Sequence, residues 1–162
     1  MRYRLTKYIN PKGYEWDEFL DIGKKEYFVT AEQYFYIENL YIQTASTLID
    51  LKETERLKIT DFEECPKVFE IMDISNPVLK ETYCCDYAGD IYNFLYSGKR
   101  NFTGADFSDL LKILLRHEAW FRISVNDYII DVGYEYYLHI YTSKNLFVKQ
   151  VVIPKEISLE LF

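Results

Sequence analysis

Residues 119–142 read AWFRISVNDYIIDVGYEYYLHIYT, and this stretch decides the fold because apolar and polar side chains alternate along most of it. Alternation with a period of two residues is typical of β-strands that bury one face. Asn126-Asp127 is a turn signal, and Gly133 interrupts the pattern a second time. We therefore predict three strands, at residues 119–125, 128–132 and 134–142. Because their links are so short, successive strands must be antiparallel neighbours, which makes a meander.

Three further stretches have strand character. The chain alternates from Met1 to Ile9 and then reaches the turn signal Asn10-Pro11-Lys12-Gly13. We predict a strand there, a short strand at Arg56–Thr60, and a last strand of the meander at Leu146–Ile153. Between residues 61 and 77, two prolines and an acidic run predict a loop-rich connector with at most a short strand or a turn of helix.

Three stretches have helical character. Thr30-Ala31-Glu32-Gln33 is a capping-box pattern, and it predicts a helix that begins there and ends near Leu51. Its apolar stripe is predicted to contain Ile37, Leu40, Tyr41, Ala45 and Leu48, and its solvent side Glu38, Asn39 and Gln43. A second helix is predicted between Asp86 and Ser97, with Gly98 as its stop signal.

The third predicted helix lies between Asp106 and Glu118. Its apolar residues recur at three- and four-residue steps, at Phe107, Leu110, Leu111, Leu114 and Leu115. Helices that precede a C-terminal meander predict an α+β fold, with helices packed on a mainly antiparallel sheet. No repeat or low-complexity segment divides the chain, so we expect a single domain at residues 1–162.

Composition and charge narrow the classes of partner. The chain of 162 residues is 49% hydrophobic and carries a formal net charge of -7. Lysine and arginine never cluster beyond two, which argues against binding to nucleic acid or to an anionic membrane. No apolar run could span a bilayer and no apolar segment follows the basic N-terminus, so we expect a cytoplasmic location. An acidic domain attracts a basic protein partner, although the same charge also keeps a small protein in solution.

No residue pattern predicts a cofactor, a metal ion or catalysis. The three cysteines, at Cys65, Cys84 and Cys85, have the irregular spacing of reduced thiols, and neither histidine has a paired ligand nearby. Arg116-His117-Glu118 is the one place with a base, a cation and a carboxylate, but adjacent helical side chains diverge. We expect His117 to complement a helix C-terminus, and we predict that the protein is not an enzyme.

The tyrosine-rich stretch provides the candidate binding residues. In a strand, Leu138 and Ile140 would face the core, while the alternate side chains would form the outer face. The predicted partner-binding residues are Asp127, Asp131, Glu135, Tyr137, His139 and Tyr141. Two simpler interpretations stay open: aromatic residues are good strand formers, and His139 could serve a cross-strand hydrogen bond.

Two segments resemble a known class of protein. Residues 3–16, YRLTKYINPKGYEW, and residues 133–137, GYEYY, followed by LFV at 146–148, resemble small bacterial immunity proteins that protect against polymorphic or contact-dependent toxins. The resemblance covers the two ends and the two main helices. It implies that the protein binds and neutralises a cognate toxin domain, of basic charge, without a cofactor. The alternatives are an anti-defence or adaptor protein that uses the same surface, and a small hydrolase centred on His117.

Overall fold

The computed structural model describes residues 1–7, 30–64, 89–133, 137–146 and 151–161. Seven strands and three α-helices lie in these ranges. The strands are β1 (Arg2–Thr6), β2 (Arg56–Glu64), β3 (Asn101–Thr103), β4 (Ala119–Val125), β5 (Tyr128–Gly133), β6 (Tyr137–Thr142) and β7 (Ser158–Leu161). The helices are α1 (Ala31–Ile49), α2 (Gly89–Tyr96) and α3 (Phe107–Leu115), and a 3₁₀ turn, Gly104–Asp106, precedes α3.

All the strands join one antiparallel sheet in the order β3-β2-β4-β5-β6-β1-β7. Strands β4, β5 and β6 are consecutive in the chain and adjacent in the sheet, which is the predicted meander. The N-terminal strand β1 lies beside β6, with Leu5 opposite Leu138, and β7 pairs with the other edge of β1. The predicted α+β class is confirmed.

The strand predicted at Arg56–Thr60 is present but longer, and the predicted last strand was wrong. Strand β2 continues to Glu64, because a bulge between Thr60 and Glu63 lets the pairing with β4 resume beyond the predicted end. Leu146 and residues 151–153 are not in a strand, and the last strand is instead Ser158–Leu161. An apolar run shows strand propensity, but the edge of β1 that is available for pairing decides which segment joins the sheet.

The helix predictions agree closely with the structure. The capping box of α1 is present: Gln33 N–H donates to Thr30 Oγ1 at 3.2 Å, and Thr30 N–H donates to Gln33 Oε1 at 3.1 Å. Helix α2 stops where predicted, because Gly98 has φ 94° and donates to the carbonyl of Leu95 at 3.0 Å. The five apolar positions predicted in α3 are all buried.

Glu38 corrects the prediction for α1. It is only 1% exposed, because it lies on the helix face shared by Tyr34 and Tyr41, four residues before it and three after it. Its carboxylate binds the guanidinium of Arg116 in two places, with Arg116 Nε 2.9 Å from Oε2 and Nη2 2.7 Å from Oε1. This buried ion pair joins the middle of α1 to the residue after α3.

The described helices all pack on one face of the sheet. Buried residues of α1, α2 and α3 belong to the same apolar cluster as the inward side chains of β1, β4, β5 and β6. The predicted turn at residues 10–13 and all three cysteines lie outside the described residues.

Replacement of Glu38 by alanine should lower the free energy of unfolding by about 3–5 kcal/mol, because it leaves the Arg116 guanidinium buried without this carboxylate. Urea denaturation followed by circular dichroism measures the change. Glu32→Ala is the control, since Glu32 is an exposed residue of the same helix and should change stability by at most about 0.5 kcal/mol.

The double variant Glu38→Leu/Arg116→Met should be more stable than Glu38→Ala, because it removes both charges from the core together. Equal losses in Glu38→Ala and Glu32→Ala would show that the ion pair contributes no more than a surface charge.

Candidate functional site

The candidate site is the outer face, the side of the sheet away from the described helices. On β6, Leu138 and Ile140 are fully buried toward the core, whereas Tyr137, His139 and Tyr141 alternate to the opposite side. The predicted alternation is therefore confirmed for the described part of this strand. The neighbouring strand β1 adds Arg2 and Arg4 to the outer face, and β4 adds Trp120 and Arg122.

A chain of polar contacts, here the polar chain, crosses five adjacent strands of this face. Its members are Arg2 on β1, His139 on β6, Asp131 on β5, Arg122 on β4 and Asp61 on β2. Arg2 Nη2 lies 3.2 Å from His139 Nε2, and His139 Nδ1 lies 2.9 Å from Asp131 Oδ1. Arg122 Nε donates to Asp131 Oδ2 at 3.3 Å, and Arg122 Nη1 donates to Asp61 Oδ2 at 2.9 Å.

His139 lies between Arg2 and Asp131. A carboxylate only accepts hydrogen bonds, so Nδ1 donates to Asp131. Arg2 Nη2 lies 3.2 Å from Nε2 and 3.5 Å from Nδ1, so the guanidinium lies against the ring. The cross-strand hydrogen bond that the sequence left open as the role of His139 is present.

Gly133 makes room for this ring. A Cβ at Gly133 would lie 2.9 Å from His139 Cε1, which is closer than carbon atoms can approach. Gly133 was predicted as a break between strands, but it is the last residue of β5 and pairs with Tyr137. The glycine is needed here for close approach of a side chain and not for a turn.

Arginine and tyrosine side chains stack next to the polar chain. The guanidinium of Arg4 lies 4.5 Å from the centre of the Tyr137 ring, and that of Arg2 lies 5.5 Å from the centre of the Tyr141 ring. Arg4 also forms an ion pair with Glu160 on β7. These arginines were absent from the predicted site, although the alternation of β1 already placed Arg2 and Arg4 on its polar side. The missing information was that β1 lies beside β6.

Burial raises the pKa of Tyr141 above its ordinary value, and the negative charge of Asp131 and a hydrogen bond to it raise that pKa further. The positive charges of Arg2 and Arg122 act in the opposite direction. The Tyr141 hydroxyl therefore stays protonated at neutral pH as a neighbour of Asp131.

The structure brings together four of the six predicted binding residues: Asp131, Tyr137, His139 and Tyr141. Asp127 does not join them, because it lies in the turn before β5 and binds Lys144, with 3.0 Å between Asp127 Oδ2 and the ammonium nitrogen. Asp131 is four positions further along the chain, which corresponds to about 13 Å in a strand. Glu135 lies outside the described residues.

A shallow groove of about 700 Å³ opens on the outer face beside the bulge of β2. Asp61 has φ 52°, a left-handed conformation that aspartate tolerates better than most residues. The bulge turns Asp61 toward Arg122 and leaves Glu63 opposite Trp120 on β4. Both carboxylates line the groove, together with Trp120, Tyr141 and the rest of the polar chain.

His117 is in a structural position. The hydrogen bonds His117 N–H to Leu114 O (3.1 Å) and Glu118 N–H to Ile113 O (3.0 Å) form a helix stop, in which His117 takes the left-handed conformation with φ 55°. Its ring lies against Trp120 with 5.2 Å between ring centres, whereas Arg116 binds Glu38. As predicted, the side chains of residues 116 and 117 have separate partners.

The chain matches no protein-family model, no curated protein and no solved structure. Among the described residues, no group of three or more His, Cys, Asp or Glu side chains could hold a metal ion. None of the described helices is both long and apolar enough to cross a membrane. Any functional assignment therefore rests on the residues of the outer face.

Replacement of Gly133 by alanine should displace the His139 ring and lengthen its hydrogen bond to Asp131, at a cost of about 1–3 kcal/mol in stability. The ring ¹⁵N chemical shifts should change, because they report the hydrogen bond of His139 to Asp131. Ala105→Gly is a control for a change in backbone flexibility. Ala105 is exposed, and it is distant in sequence from β5 and β6. Unchanged ¹⁵N shifts in Gly133→Ala would mean that Gly133 does not position the ring.

The raised pKa of Tyr141 should make stability depend on alkaline pH. Between the ordinary tyrosine pKa of about 10 and the folded value, the folded state keeps a proton that the unfolded state loses, so stability falls as pH rises. Urea denaturation of the wild type and of Tyr141→Phe across this range should show a steeper decline in the wild type. Asp131→Asn should reduce the difference, because it removes the charge that helps to raise the pKa. Parallel declines in wild type and Tyr141→Phe would contradict this account.

Proposed function

We propose that the protein is a binding module whose outer face attaches to another protein, and that this partner is a toxin domain which the protein neutralises. The single observation that carries the binding role is the arrangement of tyrosine and arginine side chains on a sheet face that no described helix covers. Tyrosine, tryptophan and arginine are the residues most enriched at the energetic centres of protein interfaces.

The order within this face supports the proposal. The polar chain and the stacked arginines already hold the side chains of Arg2, Arg4, Tyr137 and Tyr141 in place. Less rotamer entropy is then lost when a partner binds, which leaves more of the contact energy for affinity. Ile129, which is 42% exposed beside Tyr141 on the same face, adds an apolar contact.

The identity of the partner rests on the resemblance of the two chain ends to immunity proteins. Neutralisation by steric blockage needs a binding face and no catalytic group, and the net charge of -7 would speed encounter with a basic toxin domain. An adaptor or anti-defence protein could use the same face, so toxin protection has to be tested directly. In the described part of the chain, the ring contact of His117 with Trp120 gives no support to the hydrolase alternative.

The test is co-expression with a candidate toxin domain from a neighbouring gene, scored by cell survival and by co-purification. Ile129→Lys should weaken the complex by about 2–4 kcal/mol, because it places a charge in the contact face and repels a basic partner. The melting temperature should change little, since Ile129 lies outside the core.

Phe94→Lys is the matched control. Phe94 is similarly exposed, at 46%, but lies on α2 in the helical layer. Equal weakening by the two variants would remove the outer face from the interaction. Co-purification without cell survival would favour an adaptor role over toxin neutralisation.

A further inference from the structure

Among the described residues that line the groove beside the β2 bulge, three carboxylates accompany two guanidinium groups. Arg122 bridges Asp131 and Asp61, and Arg2 lies against the His139 ring. Glu63 is a fifth charged group in the groove lining and is exposed. No lysine or arginine in the described part of the chain forms an ion pair with Glu63.

Glu63 lies next to an aromatic ring. Its partner across the β2–β4 pairing is Trp120, whose side chain is half-buried and lines the same groove. A carboxylate beside an indole is a favourable environment for a cation, because the ring face is negative and tryptophan is the best of the aromatic residues for such contacts. The bulge fixes this pairing, since it shifts the register of β2 between Thr60 and Glu63.

We infer that this groove receives one arginine or lysine side chain of the protein partner, with its cation between the Glu63 carboxylate and the Trp120 indole. The inference rests on the proposed binding function and names the chemistry that the outer face selects. A guanidinium or ammonium group would neutralise the charge of Glu63 without breaking any contact of the polar chain.

An anionic group fits the groove less well. A phosphate or carboxylate there would lie close to the carboxylates of Asp61, Glu63 and Asp131, which all line the groove. Repulsion between like charges disfavours such a ligand. Anion binding is therefore the result that would overturn the inference.

Nuclear magnetic resonance titration with single amino-acid probes tests the groove without any partner. Nα-acetyl-arginine amide should bind with a dissociation constant in roughly the millimolar range, as expected for one side chain, and should shift the indole N–H signal of Trp120. Nα-acetyl-norleucine amide, which lacks the charge, and inorganic phosphate should give no saturable shift. A response to phosphate, or the absence of a saturable response to the arginine probe, would exclude the cation site.

Glu63→Gln should abolish the arginine response, whereas Glu64→Gln is the matched control. Both glutamates are exposed and adjacent on β2, but Glu64 pairs with Ala119 and does not line the groove. Equal loss in the two variants would show a general effect of net charge and overturn the inference. Asp61→Asn tests the second carboxylate of the β2 bulge. Asparagine tolerates the left-handed conformation of this residue, so the substitution removes only the negative charge.

The same pair of variants separates this inference from the proposed function. With the toxin domain as ligand, Glu63→Gln should weaken binding about tenfold or more relative to Glu64→Gln, as loss of a charge contact typically does. Binding that depends on Ile129 but is equal in Glu63→Gln and Glu64→Gln would keep the outer face as the interface and refute the cation site. Loss of the probe response in Glu63→Gln without any toxin binding would refute the proposed function and keep the cation site.

Discussion

The buried ion pair between Glu38 and Arg116 constrains the whole helical layer. Two charges inside an apolar core are tolerated only when both hydrogen bonds between them form, so α1 and the end of α3 can pack in essentially one relative position. The helix stop after Arg116 then directs the chain into β4. Because β4 begins the meander, the geometry of this one pair fixes how the helices lie on the sheet. The position of the described helices in turn decides which face of the sheet they cover.

The face that the described helices leave uncovered is organised by a second polar network. Every link of the polar chain joins neighbouring strands, so the network also favours the observed register: a slip of one residue would move its members into the core. The same side chains hold the tyrosine rings and the groove in a defined arrangement. The structural role and the proposed binding role therefore involve the same side chains, and variants need a stability measurement beside every binding measurement.

The fold was largely predictable, whereas the site was predictable only in part. The alternation of β6 correctly placed Tyr137, His139 and Tyr141 on the outer face, because side-chain direction in a strand is a local property. Arg2, Arg4 and Glu63 could not be assigned to it, since β1 and β2 come from distant parts of the chain. Arg122 was missed although it alternates with apolar residues on a predicted strand of the meander. Asp127 was placed at the site because it is close in sequence, but a turn at the end of the sheet directs it to Lys144.

The sequence by itself determined several local features: the capping box at Thr30, the stop at Gly98, the buried stripe of α3 and the meander. Each depends on atoms a few residues apart, whose geometry is independent of the rest of the chain. Only the tertiary structure decided that Glu38 is buried, since its partner lies 78 residues away. It also decided that β1 lies beside β6 and that a bulge brings β2 to the groove. These outcomes depend on which strand edges pair, and an alternating pattern carries no information about the identity of its neighbour.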